Sequence, residues 1–209
     1  MEYLVGDDET DFQRPHIDGA ILQGGLSDRE AFSDLMAKEG PDTKENYDMI
    51  IALAKEMVDE GRGLEMMART DNPVADLFGA PMTAYRTHSL LSVGGDDDYF
   101  SSDLPDSRLA ATFGNIPRDT PIMFLLGAAD PYIPDTVDRV ALVRRWTDAV
   151  RAGGGFVDDL NGGVPPEMTH NLNDEGAENA IQDLVQRVVG FLHRVDSELV
   201  QGSARLYSL

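Results

Sequence analysis

Apolar positions in this chain fall into two rhythms. Three short runs read as buried strands: residues 17–23 (Ile17-Asp18-Gly19-Ala20-Ile21-Leu22-Gln23), residues 121–126 closed by Gly127, and a weaker run, Gly155-Phe156-Val157-Asp158. Four stretches carry helical spacing instead. Ser27-Asp28-Arg29-Glu30 opens the first as a capping box, with Ser27 as N-cap and Glu30 at N3. The second starts near Asp42, stops at Gly61, and puts Ile50, Leu53, Ala54, Met57 and Val58 on one face. A third follows Asp135, with Val140, Val143, Trp146 and Val150 inward; Trp146 reads as core rather than ligand platform. The last, from about 177 to 195, is expected to bury Ile181, Leu184, Val185, Val188 and Leu192.

Strands separated by helices rather than by hairpin turns predict an α/β fold with a parallel sheet of about three strands. A βαβ crossover needs only about thirty residues. The stretch from 24 to 120 is far longer, so residues 28–115 are read as a helical lid or cap inserted in a single domain over 1–209.

Composition narrows the function. The 209 residues carry Lys+Arg 17 against Asp+Glu 38, a net charge of −21, which argues against nucleic acid or an anionic membrane as partner. The absence of cysteine removes disulfides, thiolate metal sites and a Cys nucleophile. His16, His88 and His193 show no metal-ligand spacing, and Asp96-Asp97-Asp98 fails the EF-hand pattern because Phe100 stands where a ligand belongs; a solvated turn or substrate-contacting lid loop is preferred there, and no metal or cofactor is implied. No run is long enough for a membrane span. With neither an Asn-x-Ser/Thr sequon nor a secretory n-region, a cytoplasmic location is expected, unless Met1 is internal to a longer protein.

The candidate chemistry begins where the second strand ends. Gly127-Ala128-Ala129-Asp130-Pro131-Tyr132-Ile133-Pro134 places Asp130 just beyond the carboxyl end of a parallel strand, where open α/β sheets bind ligands. Thr169-His170-Asn171-Leu172 lies on a loop before the last helix. An imidazole on that loop can meet the carboxylate, which would set its tautomer and stabilise the imidazolium formed on proton uptake. Taken singly, Asp130 reads equally well as a turn or helix-start residue, and His170 as a solvated loop histidine.

Gly127-x-x-Asp130-Pro131-x-x-Pro134 with a later loop His resembles the acid and base of α/β-hydrolases. More narrowly, residues 17–23 with Ser27-Asp28-Arg29-Glu30-Ala31, then Gly95-Asp96-Asp97-Asp98-x-Phe100-Ser101-Ser102-Asp103, and Thr169-His170-Asn171-Leu172, resemble the DUF1749 family over nearly the whole chain. That resemblance implies a hydrolase fold of a kind common in fungi, a small-molecule ester substrate, in some members a siderophore ester, and roles of acid for Asp130 and base for His170.

One element of the pattern is missing. Such enzymes run Ser, Asp, His, with the serine on a Gly-x-Ser-x-Gly elbow, and no such string occurs here. In the family the elbow precedes a helix ending in a Met-x-Tyr-Leu-like segment, and this chain opens Met1-Glu2-Tyr3-Leu4. The expectation is a C-terminal portion of the fold without its nucleophile, inactive alone as a serine hydrolase, with an unpaired strand edge prone to self-association. Two rivals stand beside it: a non-catalytic remnant or binding module, and a divergent hydrolase using Ser27. Gly25-Leu26-Ser27-Asp28-Arg29 follows a strand and opens a helix in hydrolase order, but Arg29 is large where the elbow wants a small residue, and the capping box needs no strain.

Overall fold

A computed structural model describes residues 1–5, 15–68, 72–173 and 176–206. Two compact units emerge. The first comprises Met1–Gly25, Pro105–Pro131 and Asp135–Leu209; the second comprises Leu26–Leu104 with Tyr132–Pro134.

After a short helix α1 (Glu2–Val5), the first unit is built on two parallel strands, β1 (Ala20–Gln23) and β2 (Ile122–Leu125), in the register Ala20↔Ile122 to Gln23↔Leu125. All four β2 residues are buried, as a strand covered on both faces requires. Alternation along β2 sends Met123 and Leu125 to one side, where they pack with Ile21, Met168, Phe191 and Val195. Phe124 goes to the other, meeting Phe113 edge-on at 5.6 Å between ring centroids and Trp146 at the same separation.

The remaining elements of this unit are α6 (Asp106–Thr112), a 3-10 turn (Phe113–Asn115), α7 (Arg139–Ala152) and α8 (Glu178–Leu206). Asp138 caps α7 by accepting from the Ala141 amide at 2.9 Å. Val140, expected inward, is exposed, and Leu142 is buried in its stead. Because α6 and the 3-10 turn pack with α7, residues 106–115 lie in the sheet-bearing unit, whereas the expected insertion ran to 115.

The expected third strand is reduced to two parallel bridges, Ile122↔Val157 and Leu125↔Gly163. Between them the fully buried Asp158 carboxylate captures the backbone. Its Oδ1 accepts from the Leu160 and Asn161 amides at 3.1 and 3.2 Å, so these groups turn inward to a side chain instead of continuing a ladder. Arg194 of α8 closes the same carboxylate at 3.2 Å, and Arg187 donates to the Asn161 and Gly162 carbonyls.

Helix α8 also corrects the expected core. Its inward side is Ala180, Leu184, Val188, Phe191 and Val195, whereas Ile181, Val185, Val189 and Leu192 form a solvent-facing apolar stripe. Both stripes obey helical spacing, so periodicity alone picked members of each.

The second unit is helical: α2 (Asp28–Glu39), α3 (Pro41–Asp59), α4 (Pro73–Leu77) and α5 (Ala84–Leu91). Phe32, Met36, Tyr47, Val74, Leu90 and Leu91 form one core cluster; Ile50, Ala54, Met57, Met67 and Ala84 form another. Leu53, expected on the inner face of α3, is exposed. Burial, aided by Asp48, pushes the Tyr47 phenol upward in pKa. Asn72 caps α4 by accepting from the Val74 and Ala75 amides, both at 3.1 Å.

The two faces of α8 yield a paired prediction. Phe191→Ala, which empties part of the β2 core, lowers the urea-unfolding free energy by about 3–5 kcal/mol. Val185→Ala, at a position 54% exposed, changes it by no more than about 0.5 kcal/mol. Equal losses in the two variants would refute the assignment of faces.

Candidate active site

The sheet-bearing unit joins the two loops that sequence reading singled out. Beyond β2 the backbone stays paired with the chain arriving from Asp158. Gly163 N donates to Phe124 O at 2.8 Å, Leu126 N to Gly163 O at 3.1 Å, Ala128 N to Pro165 O at 2.9 Å and Ala129 N to Met168 O at 3.1 Å. This seam delivers residues 168–170 beside residues 127–130. It needs a glycine at 127, where an added Cβ would lie 2.1 Å from the Met168 carbonyl oxygen. Only a residue without a side chain lets the strands of the seam approach this closely.

At its end His170 Nδ1 lies 2.9 Å from Asp130 Oδ2, across forty residues of sequence. The Asp130 side chain is 1% exposed and that of His170 34% exposed. A carboxylate can only accept, so Nδ1 carries a proton and donates to it, which in the neutral ring leaves the lone pair on Nε2. The Asp130 carbonyl is itself held by Arg139 Nη2 at 3.2 Å.

Two further neighbours went unnoticed in the sequence. At the end of β1, Gln23 Nε2 donates to the His170 carbonyl at 2.8 Å. Gly24, at φ +63°, lies against the imidazole, where an added Cβ would sit 3.2 Å from Cε1 and 3.3 Å from Nδ1. The Gly24-Gly25 pair after a strand was the available signal. Two residues past the histidine, Leu172 holds a left-handed φ of 54° while its side chain packs on the sheet core.

Ser27 belongs to the helical unit and has other partners there. Its backbone is extended (φ −86°, ψ 111°), without the strained turn of a nucleophile elbow. Its Oγ accepts from the Glu30 amide at 3.0 Å and lies 2.5 Å from Ser101 Oγ. Ser101 donates to Asp98, so the Ser27 proton is directed to Ser101. The capping box is half formed: the Glu30 carboxylate binds the Ser102 amide and hydroxyl, at 3.0 and 2.6 Å, rather than reaching back to Ser27.

The aspartate loop, expected as a solvated turn or a substrate-contacting lid loop, exposes Asp96 and Asp97 but buries Asp98. Asp98 is buried, accepts from Gly94 N at 2.9 Å, and lies 3.4 Å from Arg29 Nε. Burial draws the Arg29 pKa down, but its bond to Asp103 and the fields of Asp98, Asp103 and Glu30 outweigh that and raise it. Asp96 accepts from the Tyr85 hydroxyl at 2.6 Å and Asp97 pairs with Arg86. Among the described residues no group of three or more His, Asp or Glu side chains is placed to hold a metal ion, and no helix is long and apolar enough to cross a membrane.

The model of a family described as a protein of unknown function, DUF1749, matches residues 1–193. The chain belongs to the DUF1749 family. Relatives of this DUF1749 chain include Esterase AN6793 of Emericella nidulans, 30% identical over 88% of this chain and 55% of the relative. Fusarinine C esterase sidJ of Aspergillus fumigatus is 30% identical over 86% of this chain and 56% of its own length. A UPF0613 protein of Schizosaccharomyces pombe matches at 30% identity over 81% and 53%. Among solved structures, the siderophore hydrolase EstB from Aspergillus fumigatus superposes with a TM-score of 0.73 at 30% identity, covering 93% of this chain and 62% of that one. The α/β architecture of this chain is shared with the matched part of that structure. The chain spans about half the length of the curated relatives it matches.

Gly127→Ala is expected to break the seam. The introduced methyl must displace the Met168 carbonyl, costing about 2–4 kcal/mol in urea unfolding. Wild-type stability in that variant would show that the two loops do not run this close.

Proposed function

We propose that this DUF1749 chain carries the acid–base pair of a serine ester hydrolase, with Asp130 as acid and His170 as base, and that its substrates are small-molecule esters of the siderophore class. The 2.9 Å bond from His170 Nδ1 to Asp130 Oδ2 carries the reading. The esterases and the siderophore hydrolase among its relatives support the substrate class.

The chemistry follows from the tautomer. With Nδ1–H directed at the carboxylate, Nε2 can take the proton of a serine hydroxyl as its oxygen attacks the ester carbonyl. The same proton then passes to the departing alkoxide. Asp130 stays ionised throughout and steadies the imidazolium in between. Water repeats the cycle on the acyl-enzyme: Nε2 takes a proton from water, the acid product leaves, and the serine is restored.

The 209 residues contain no Gly-x-Ser-x-Gly string, and Ser27 serves as a helix cap. In this reading the attacking hydroxyl and its oxyanion donors come from outside these residues, and the chain alone does not turn over esters. The same reading makes the outer edge of β1, which pairs with β2 alone among the described residues, a site of association between strands.

The test has two arms. The purified chain should hydrolyse a p-nitrophenyl ester or a fusarinine-type ester no faster than its His170→Ala variant. A chimera in which this chain replaces the matched part of EstB should be active, and should lose about 10³–10⁴-fold in kcat with Asp130→Asn or His170→Ala. Turnover by the isolated chain that disappears in Ser27→Ala would overturn the proposal in favour of Ser27 as nucleophile. An active chimera indifferent to both substitutions would remove Asp130 and His170 from catalysis.

A further inference from the structure

We infer that Gln23 and Gly24, at the carboxyl end of β1, are positioning residues for the His170 imidazole. The inference builds on the acid–base reading of His170 and extends it to a strand that contributes no reacting group.

The bond to Asp130 fixes the imidazole at Nδ1. Two contacts from β1 act on its backbone and on the edge of its ring. Gln23 Nε2 donates to the His170 carbonyl at 2.8 Å, which pins the backbone from which the side chain departs. Gly24 then lies along the ring edge, its missing Cβ only 3.2 Å from Cε1 and 3.3 Å from Nδ1. Gly24 is in turn locked to the sheet, since its amide donates to Leu125 O at 2.9 Å. That carbonyl closes β2, two residues before Gly127 and five before Asp130. Carboxylate and imidazole are therefore referenced to the same pair of strands, the carboxylate through β2 and the imidazole through β1. Rigid elements of this kind hold a site to tighter tolerance than loops do.

Gly24 has two reasons to be glycine, and they can be separated. Its φ of +63° disfavours any side chain, and a side chain there would also press on the ring. Gly79 has nearly the same backbone, φ +65°, with nothing within 4 Å of an added Cβ. An alanine at 79 carries the backbone strain alone; an alanine at 24 carries the strain and the push on His170.

The experiment is NMR of the full chain labelled with ¹⁵N-histidine, reading the Nδ1–H resonance of His170, its tautomer and its exchange with solvent. Cross-peaks of His16, His88 and His193 report that each variant is folded. Gln23→Glu keeps the volume but removes the N–H donor, and should speed exchange of the Nδ1 proton about fivefold to tenfold, the value of one hydrogen bond. Gly24→Ala should do the same or lose the resonance, while Gly79→Ala leaves it at the wild-type rate. Should Gly24→Ala fail to fold, the surface substitution Gln23→Glu decides alone. Wild-type exchange and tautomer in both Gln23→Glu and Gly24→Ala, alongside a lost signal in Asp130→Asn, would overturn the positioning role and leave the acid–base pair standing. An unchanged signal in Asp130→Asn would overturn the pair itself, and the positioning role with it.

Discussion

The candidate site depends on one seam of backbone hydrogen bonds. Between Phe124 and Ala129 the chain leaving β2 makes four backbone hydrogen bonds with the chain that runs from Gly163 to Met168. Each loop has a backbone turn bond of its own, Asp130 N to Gly127 O and Met168 N to Pro165 O. Together they satisfy one another's polar groups, and the close pass at Gly127 sets how near they come. The Asp130–His170 contact is the last rung of that seam, made by side chains where the others are made by backbone. Upstream, the buried Asp158 and the arginines of α8 fix where the second partner enters, so a helix far along the chain helps to decide where the imidazole stands.

The loops that carry Asp130 and His170 could be placed from local rules, though only their pairing and the family resemblance, not either residue singly, marked them as a candidate site. An Asp-Pro after a strand-closing glycine marks a turn at a sheet's carboxyl end, and a histidine flanked by polar loop residues marks an exposed ring. Gln23 and Gly24 were not legible, because their role is only a proximity: nothing along a sequence says that the end of one strand will face a loop 147 positions away. Asp98 was misread for a similar reason. Three consecutive aspartates look solvated, and the reading changes only when Arg29, Ser101 and the Gly94 amide are seen to converge on one of them.

The fold divides along the same line. The positions of β1 and β2, the cap at Ser27 and the stop of α3 near Gly61 depend on neighbours in sequence and could be read directly. Which side of a helix faces inward could not, where both sides are apolar. In α8, Val185 and Val188 are equally hydrophobic, and the choice between them is made by Met123, Leu125 and Met168. The expected third strand, 155–158, does pair with β2 around Val157, but the ladder stops there because a buried carboxylate takes the backbone amides at 160 and 161.

Leu172 gives the histidine loop an unusual kind of firmness. A left-handed backbone disfavours leucine by about 1–2 kcal/mol, and the conformation persists because its side chain is seated among the hydrophobic groups beneath the sheet. The loop is held by a plug rather than by its own preferences. Withdrawing that one side chain would free the backbone to relax, so the segment behind the imidazole opens in a single local step, well before the strands on which it rests come apart.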